Sequence, residues 1–167
     1  MNVSIIGASG YSGLELIRLL NQHPHLRISS VHSSSRAGHF IHEENPHLMH
    51  LNMQLLPIDP EEIAKNSSLV FLATPSGVSA GLAPQLADAG LKVIDLSGDL
   101  RLKDPKLYTE WYGKEAAPIE ILSKAVYGLP EYFGTAASNA EIIANPGCYP
   151  TASILGLAPL LMEGKAK

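Results

Sequence analysis

A single cysteine, Cys148, is present among the 167 residues of the chain, so no internal disulfide can form. The lack of an internal disulfide agrees with a reducing compartment, and we expect a cytoplasmic protein. Charged residues are also few, at 17%, and the formal net charge of -4 comes with no basic stripe. These features argue against nucleic acid as a partner.

Long apolar runs are missing as well. The richest run, residues 151–162, is interrupted by Gly156 and Pro159, so no stretch reaches the length of a membrane span. The N-terminus enters a strand-like run at once and has no basic region followed by an apolar run and a cleavage site. We therefore predict no membrane association and no secretion signal.

Hydrophobic residues nevertheless make up 46% of the chain, which is enough for a folded core. Strand-like runs and helical patterns alternate along it. The predicted strands are residues 2–6, 26–31, 68–73, 92–96 and 141–144, and the predicted helices are residues 11–21, 60–65, 77–89 and 150–163, with a short helix starting at Asp104. This alternation predicts an α/β fold with a Rossmann-like, doubly wound, mostly parallel sheet. Residues 33–57 are polar, and the sequence assigns them no structure.

Three glycines, Gly7, Gly10 and Gly13, follow the first strand and open the first helix, which is the context that dinucleotide binding requires. Gly7 permits a tight turn, Gly10 lets backbone approach a pyrophosphate, and Gly13 lets the helix lie close to the strand. The N–H groups at the helix start would then face the phosphates. The spacing differs from the commonest dinucleotide fingerprint, so a glycine-rich turn without a ligand is the alternative.

The end of the second predicted strand indicates which dinucleotide would bind. An NAD site usually offers an acidic residue there to hold the ribose 2′-hydroxyl. Here the chain has Ser33, Ser34, Ser35 and Arg36, with no carboxylate. Hydroxyls and a guanidinium suit a 2′-phosphate, so we predict NADP(H) rather than NAD. An ordinary polar loop is the alternative.

Two further segments follow strands at the edge of the sheet where doubly wound folds bind ligands. Pro75, Ser76 and Gly77 follow the third predicted strand and are expected to border the cofactor, although a simple strand–helix turn fits the local sequence equally well. Arg101 follows the fourth predicted strand and could anchor a substrate carboxylate or phosphate. Its neighbours Asp99, Lys103 and Asp104 are also charged. A solvated surface run is therefore the alternative, at equal weight.

Cys148 lies between the last predicted strand and the last predicted helix, at the same edge of the sheet as the glycine loop. Pro150 is predicted at a first position of that helix, which puts Cys148 just before the helix N-terminus. Such a position favours the thiolate, which is the nucleophilic form of cysteine. A buried structural cysteine is the alternative, but Asn145 and Gly147 argue against a core position. We predict that Cys148 forms a thioester, which a reduced nicotinamide cofactor then reduces.

Four histidines near Glu43 and Glu44 could be taken for metal ligands. They form two pairs spaced three residues apart: His39 with His42, and His47 with His50. Pro46 breaks any single helix between the pairs, and thiolate ligands are absent. We interpret these histidines as solvated loop residues and predict no metal site.

Five segments together resemble the N-terminal part of the N-acetyl-gamma-glutamyl-phosphate reductases, a family among the semialdehyde dehydrogenases that uses NADPH in arginine biosynthesis. The segments are residues 7–16 (GASGYSGLEL), 34–38 (SSRAG), 93–102 (VIDLSGDLRL), 127–131 (YGLPE) and 145–151 (NPGCYPT). The first segment is shared with aspartate-semialdehyde dehydrogenases, whereas the later ones together are specific. The resemblance covers essentially the whole chain.

The resemblance implies that Cys148 is the acyl-enzyme nucleophile and that Arg101 and Asn145 line the substrate side. It implies that the cofactor NADP(H) is held by the glycine loop and by the segment after the second strand: Ser9, Gly10, Tyr11, Ser12, Gly13, Ser33, Ser35 and Arg36. The implied reaction reduces an acyl phosphate, N-acetyl-gamma-glutamyl phosphate, to N-acetylglutamate 5-semialdehyde with release of phosphate. The implied assembly is a homo-oligomer, either a dimer or a tetramer.

The same resemblance divides the chain into an NADP-binding domain at residues 1–147 and the truncated start of an α+β catalytic domain at residues 148–167. The family's acid–base histidine belongs to that second domain, and none of the seven histidines here matches it. We therefore expect a fragment that is inactive alone. Two other functions stay open: an aspartate-semialdehyde dehydrogenase or aminoadipate-pathway relative with the same thioester chemistry, and a noncatalytic NADP-binding module.

Overall fold

The computed structural model describes residues 1–43 and 45–165, so Glu44, Ala166 and Lys167 lie outside the described residues. Seven strands occur in these ranges: β1 Asn2–Ile6, β2 Arg27–His32, β3 Leu55–Leu56, β4 Leu69–Leu72, β5 Lys92–Asp95, β6 Val126–Tyr127 and β7 Ile142–Ala144. They form one sheet in the order β3-β2-β1-β4-β5-β7-β6, and all the described strand pairs are parallel. The predicted α/β fold with a doubly wound parallel sheet is confirmed.

Helices connect the strands. In the described ranges they are α1 Tyr11–Leu20, α2 Pro60–Asn66, α3 Ser79–Asp88, α4 Pro105–Tyr112, α5 Ile119–Lys124, α6 Pro130–Asn139 and α7 Cys148–Met162. Two of them start in the same way. Asp59 and Asp104 cap α2 and α4, because each carboxylate accepts N–H groups of the first turn and a proline follows directly.

The central strands send alternate side chains into two hydrophobic cores, one on each face of the sheet. On β1, Val3 and Ile5 join the core that contains Ile17 of α1. Ile6 joins the other core, which contains Leu86 of α3. Helices therefore cover both faces, and the loops at the carboxyl edge of the sheet are where polar side chains gather.

Most of the missed structure lies between residues 97 and 140. Beyond the helix predicted to start after Asp104, this region contains α5, β6 and α6, which the sequence does not predict. The strand β6 has two residues and joins the sheet only by pairing with β7. The unassigned residues 33–57 contain β3 and two 3₁₀ helices, Ile41–Glu43 and Pro46–Leu51.

The last helix starts earlier than the sequence predicts. α7 begins at Cys148 itself, with Gly147 at the N-cap position, whereas the prediction places its start at Pro150. Pro150 is the third residue of the helix. Proline fits there because the first N–H groups of a helix have no partner within it. Cys148 therefore belongs to the first turn instead of preceding it.

The carboxyl ends of the central strands lie level with one another. Ile6 of β1 pairs with Leu72 of β4, Leu72 pairs with Asp95 of β5, and Asp95 pairs with Ala144 of β7. Because neighbouring strands are about 4.8 Å apart, the ends of β1 and β7 are separated by roughly 14 Å along this edge. The glycine loop and the segment that contains Cys148 therefore leave the sheet on the same side.

Candidate active site

A cleft of about 730 Å³ opens at the carboxyl edge of the sheet. This volume is in the range of small-molecule sites. Its lining is drawn mainly from the glycine loop and from the loops after β2 and β4: Gly7, Ser9, Gly10, Tyr11, Ser12, Ser33, Ser34, Ser35, Thr74, Pro75 and Val78. The structure therefore brings most of the predicted cofactor residues together in one cleft. Thr74 and Val78 are additions, and Gly13, Arg36, Ser76 and Gly77 are outside its lining.

The glycine loop has the shape that its sequence predicts. Gly7 has a φ of +83°, and a Cβ at this position would collide with the backbone of Ala73. A Cβ at Gly13 would collide with the backbone of Gly7 and Ala8, so Gly13 is a buried packing position between α1 and the loop. α1 begins after Gly10 with no capping side chain among the described residues. Its first N–H groups are therefore suited to an anion.

The loop after β2 lies against the glycine loop. Ser33 Oγ is 3.2 Å from Ser9 Oγ. Arg36 does not line the main cleft but lines a small hollow beside it, together with Ser9 and His39. Arg36 is therefore placed next to the cleft, where the second strand ends.

His32, the last residue of β2, is a buried polar residue that the sequence analysis does not single out. Its Nδ1 lies 2.7 Å from the carbonyl oxygen of Pro57, and its Nε2 lies 2.8 Å from Ser30 Oγ. Since a carbonyl oxygen only accepts, Nδ1 donates to Pro57 and the neutral ring accepts at Nε2. The pKa of the imidazole is lowered, because the effect of burial exceeds that of the hydrogen bond to Pro57, which raises it. The His32 carbonyl accepts the N–H groups of Gly7 and Ala8, so this residue joins β2 to the glycine loop.

The turn after β4 is held by a buried carboxylate. The Gly77 N–H group donates to both oxygens of Asp99 at 2.8 Å, and the Ala80 N–H group donates to Oδ2 at 3.0 Å. The Tyr108 hydroxyl donates to Oδ1 at 2.7 Å. Asp99 thereby caps α3, whose N-cap residue Val78 makes no side-chain hydrogen bond. Asp99 is fully buried, so the alternative of a solvated charge run is wrong for this residue.

Ser76 and Gly77 support this turn and do not face the cleft. The cleft is lined instead by Thr74 and Pro75. The Ser76 carbonyl accepts from Lys114 Nζ, and Gly77 is bound to Asp99 as described. Of Pro75, Ser76 and Gly77, only Pro75 lines this cleft, and the expectation that the three border the cofactor stays a prediction.

A second carboxyl, Asp95, is fully buried at the end of β5. The Ser97 N–H group donates to its Oδ1, and the Ser97 hydroxyl donates to its Oδ2, both at 2.9 Å. The pKa of Asp95 is raised, mainly because the carboxyl is buried. The hydrogen bonds from Ser79 and Ser97 oppose this rise in part, and the nearby Asp99 adds to it. Asp95 and Asp99 together fix the path of the loop that leads to Arg101.

Cys148 is exposed at the first position of α7. This helix has 15 residues, and its first turn contains neither an acidic residue nor a side-chain cap. The N–H groups at the uncapped start of this helix therefore lie beside Cys148. The structure places Cys148 at an accessible helix start, and its role as a nucleophile stays a prediction.

Arg101 is bonded to Asn145, which lies three positions before Cys148 in the sequence. Arg101 Nε donates to the Asn145 carbonyl at 2.8 Å, and Nη2 donates to the Leu96 carbonyl at 2.9 Å. The Asn145 N–H group donates to the Asp95 carbonyl at 2.8 Å. These bonds join the segments that leave β5 and β7.

The paired histidines are not arranged as a metal centre. His39 contacts Glu43, with 2.9 Å between Nδ1 and Oε2. Within residues 1–43 and 45–165, no group of three or more His, Cys, Asp or Glu side chains is placed to hold a metal ion. Over the same ranges, no helix is both long and apolar enough to cross a membrane.

Comparison with known proteins agrees with this geometry. Residues 2–140 match the family model described as "Semialdehyde dehydrogenase, NAD binding domain". N-acetyl-gamma-glutamyl-phosphate reductase from Bacillus cereus (strain AH187) is 55% identical over 98% of the chain, which corresponds to 48% of that relative. The protein of the same name from Geobacillus kaustophilus (strain HTA426) is 54% identical over 98% of the chain and 48% of its own length. The chain thus spans about half the length of these relatives.

Solved structures share the fold at lower identity. Aspartate semialdehyde dehydrogenase with NADP from Candida albicans matches with a TM-score of 0.69 and 17% identity, over 97% of this chain and 47% of that one. Aspartate semialdehyde dehydrogenase II from Vibrio cholerae matches with a TM-score of 0.67 and 21% identity, over 95% of this chain and 45% of that one. At this identity, the likeness establishes the fold alone.

Proposed function

The chain belongs to the semialdehyde dehydrogenase family, and on that premise we propose that it is the NADP-binding, nucleophile-bearing part of an N-acetyl-gamma-glutamyl-phosphate reductase of arginine biosynthesis. One observation carries the proposal: an exposed cysteine begins α7 at the same edge of the sheet as the glycine-loop cleft. A thiol and a dinucleotide cleft on one edge fit thioester chemistry better than they fit a passive binding domain.

The residues of the cleft fit a dinucleotide phosphate. Gly10, Tyr11 and Ser12 line it at the uncapped start of α1, where backbone N–H groups can hold a pyrophosphate. Ser33 and Ser35 line it where a ribose would end, and Arg36 lies beside it. Hydroxyls and a guanidinium, with no carboxylate in residues 33–36, favour a 2′-phosphate and therefore NADP(H).

In the proposed reaction, the Cys148 thiolate attacks the carbonyl carbon of the acyl phosphate. The new C–S bond forms as the C–O bond to phosphate breaks, and the departing phosphate takes up one proton. The bound cofactor supplies the hydride that reduces the thioester carbonyl. The C–S bond of the reduced adduct then breaks, which releases the aldehyde and restores the thiolate. Arg101 and Asn145 would lie on the substrate side of Cys148.

The remaining assignments follow from the family. We assign residues 1–147 to the cofactor domain and residues 148–167 to the start of a catalytic domain. The acid–base histidine would come from outside this chain, so we expect the chain alone to bind cofactor without turning over substrate. We further propose a homo-oligomeric enzyme in the cytoplasm.

A chimera tests the substrate and the nucleophile together. This chain would replace the matching segment of the Bacillus cereus relative, and turnover would be followed by NADPH absorbance. We expect reduction of N-acetyl-gamma-glutamyl phosphate at a rate well above that of β-aspartyl phosphate. The Cys148→Ser chimera should lose about three to four orders of magnitude in kcat. Equal rates on both substrates would overturn the assignment to arginine biosynthesis. Full turnover by the Cys148→Ser chimera would overturn the proposed thioester.

The cofactor is tested on this chain directly, by fluorescence titration with NADPH and NADH. We expect tighter NADPH binding and a loss of roughly tenfold in NADPH affinity for Arg36→Ala, because one charge-assisted contact to the 2′-phosphate disappears. Arg18→Ala is the matched control, since Arg18 lies in the last turn of α1, away from the glycine loop. Tighter NADH binding, or no effect of Arg36→Ala, would refute NADP selectivity.

A further inference from the structure

We infer that Arg101 is a positioning residue for Cys148, in addition to any contact that it makes with a substrate. The inference rests on the proposed nucleophile role of Cys148. It starts from the two hydrogen bonds of the guanidinium, which both go to main-chain carbonyls, those of Leu96 and Asn145. These bonds attach Arg101 to the main chain of two neighbouring segments, so its side chain has a structural role of its own.

The third nitrogen of the guanidinium faces the start of α7. A Cβ built on Gly147 would lie 3.1 Å from Arg101 Nη1 and 3.6 Å from Cζ. Gly147 is the N-cap residue of α7, and Cys148 is the next residue. The absence of a side chain at Gly147 therefore lets the guanidinium pack against the helix start that bears the thiol.

The charge of Arg101 adds to the field of the helix N-terminus. Its recorded partners are neutral carbonyls, and no ion pair within residues 1–43 and 45–165 neutralises it. The first turn of α7 has no acidic residue either. A fixed cation and an uncapped helix N-terminus at the same place both stabilise a thiolate.

Arg101 also fixes the position of the helix start. Its bond to Asn145 holds the residue that follows β7, and its bond to Leu96 holds the residue that follows β5. Only two residues, Pro146 and Gly147, separate Asn145 from Cys148 along the chain. A neutral side chain in place of Arg101 would remove both the hydrogen bonds to Asn145 and Leu96 and the positive charge. Lysine would keep only the charge.

The experiment measures alkylation of Cys148 in this chain by iodoacetamide at neutral pH, with mass spectrometry as the readout. Iodoacetamide is uncharged, so Arg101 does not attract it, and Cys148 is already exposed, so access does not limit the rate. We expect Arg101→Gln to slow alkylation roughly tenfold, because one nearby cation is lost. Arg101→Lys should recover part of the rate.

Lys103→Gln is the matched control. Lys103 is another cation of the same loop, but its Nζ donates to the carbonyls of Leu122 and Ala125 at the end of α5. Its replacement should leave the alkylation rate unchanged. Gly147→Ala provides a second variant should Arg101→Gln fail to fold. Its methyl group would lie 3.1 Å from Nη1, so the guanidinium has to shift by a few tenths of an ångström, and the reaction should also slow.

The outcomes separate the two proposals. A wild-type rate no faster than that of N-acetylcysteine overturns the nucleophile proposal and this inference with it. A fast wild-type rate that Arg101→Gln, or in its place Gly147→Ala, leaves within twofold overturns only the positioning role. A slower rate in these variants, with no change in Lys103→Gln, supports it.

Discussion

A buried histidine connects the cleft to the interior of the sheet. His32 is 3% exposed, and both of its ring nitrogens have hydrogen-bond partners. Ser30, which donates to Nε2, is itself 2.6 Å from Ser4 Oγ, and Ser4 is 2.6 Å from Ser67 Oγ. A chain of hydroxyls therefore runs from His32 through Ser30 and buried Ser4 to Ser67, and it is satisfied when the imidazole is neutral.

The lowered pKa of His32 predicts a dependence of stability on pH. Above the ordinary pKa of about 6.5, the folded and unfolded states are both neutral at this residue. As the pH falls through that value toward the lower folded pKa, the unfolded state binds more protons, so the free energy of unfolding decreases. Urea unfolding at about pH 7.5 and about pH 5.5 should show this loss.

The substitution His32→Asn distinguishes the contribution of His32 to this pH dependence from that of the other six histidines. The asparagine amide can still donate to the Pro57 carbonyl but does not titrate. We expect His32→Asn to be less stable than the wild type at neutral pH and to show a smaller decrease on acidification. An unchanged pH dependence in the variant would assign the effect to other groups.

At the scale of secondary structure, Asp99 shows how one element is fixed by another. α3 lacks a local capping side chain, and the carboxylate that caps it comes from the loop after β5. The same carboxylate accepts from Tyr108 of α4. One residue thus ties α3, α4 and β5 together behind the cleft wall formed by Thr74 and Pro75.

Asp99→Asn should therefore affect both stability and cofactor binding. An amide nitrogen cannot accept the N–H group of Gly77 or Ala80, so we expect a loss of about 1–3 kcal/mol in the free energy of unfolding. The released turn should also weaken NADPH binding by roughly threefold to tenfold, since one cleft wall becomes less ordered. Thermal unfolding and fluorescence titration measure the two effects.

Asp104→Asn is the comparison for that prediction. Asp104 caps α4 from an exposed position, with its Oδ1 accepting the Lys106 N–H group at 2.8 Å. Its replacement should lower stability by about 1 kcal/mol or less and leave NADPH affinity unchanged. Equal effects of the two substitutions on affinity would show that Asp99 has no special link to the cleft.

The sequence predicts those elements whose signals are local. β1, α1 and the strands around residues 70 and 94 follow from apolar periodicity, and the helix start after Asp104 follows from its cap and proline. β6 is too short to give a periodic signal, and it exists because Ile143 and Ala144 pair with it. Asp99 was open to a surface interpretation because its partners, Gly77 and Tyr108, are 22 and 9 residues away.

The candidate site likewise combines features with a local sequence signal and contacts between distant residues. Gly7 and Gly13 were predictable because a close backbone approach demands glycine. The neighbours of Arg101 were not predictable, since they depend on β5 and β7 lying side by side in the sheet. The sequence therefore predicts candidate residues for the chemistry, and the sheet order supplies the contacts that hold them.

For the molecule as a whole, α7 is the longest helix of the described chain. None of its residues is buried within residues 1–43 and 45–165. Its exposed apolar side chains include Leu155, Leu157, Leu160, Leu161 and Met162. Exposed apolar surface of this kind promotes association in water. We expect this chain, studied as it is, to self-associate as its concentration rises.

Replacing Leu157, Leu160 and Leu161 by glutamine should reduce that association, as measured by static light scattering. Glutamine has a helix propensity close to that of leucine, and these side chains are 46–55% exposed, so the melting temperature should change little. Leu122→Gln is the opposite case, because Leu122 is fully buried and its replacement should reduce stability by about 3–5 kcal/mol. If the triple variant associates as strongly as the wild type, the contact between copies lies elsewhere, and the exposed face of α7 does not drive it.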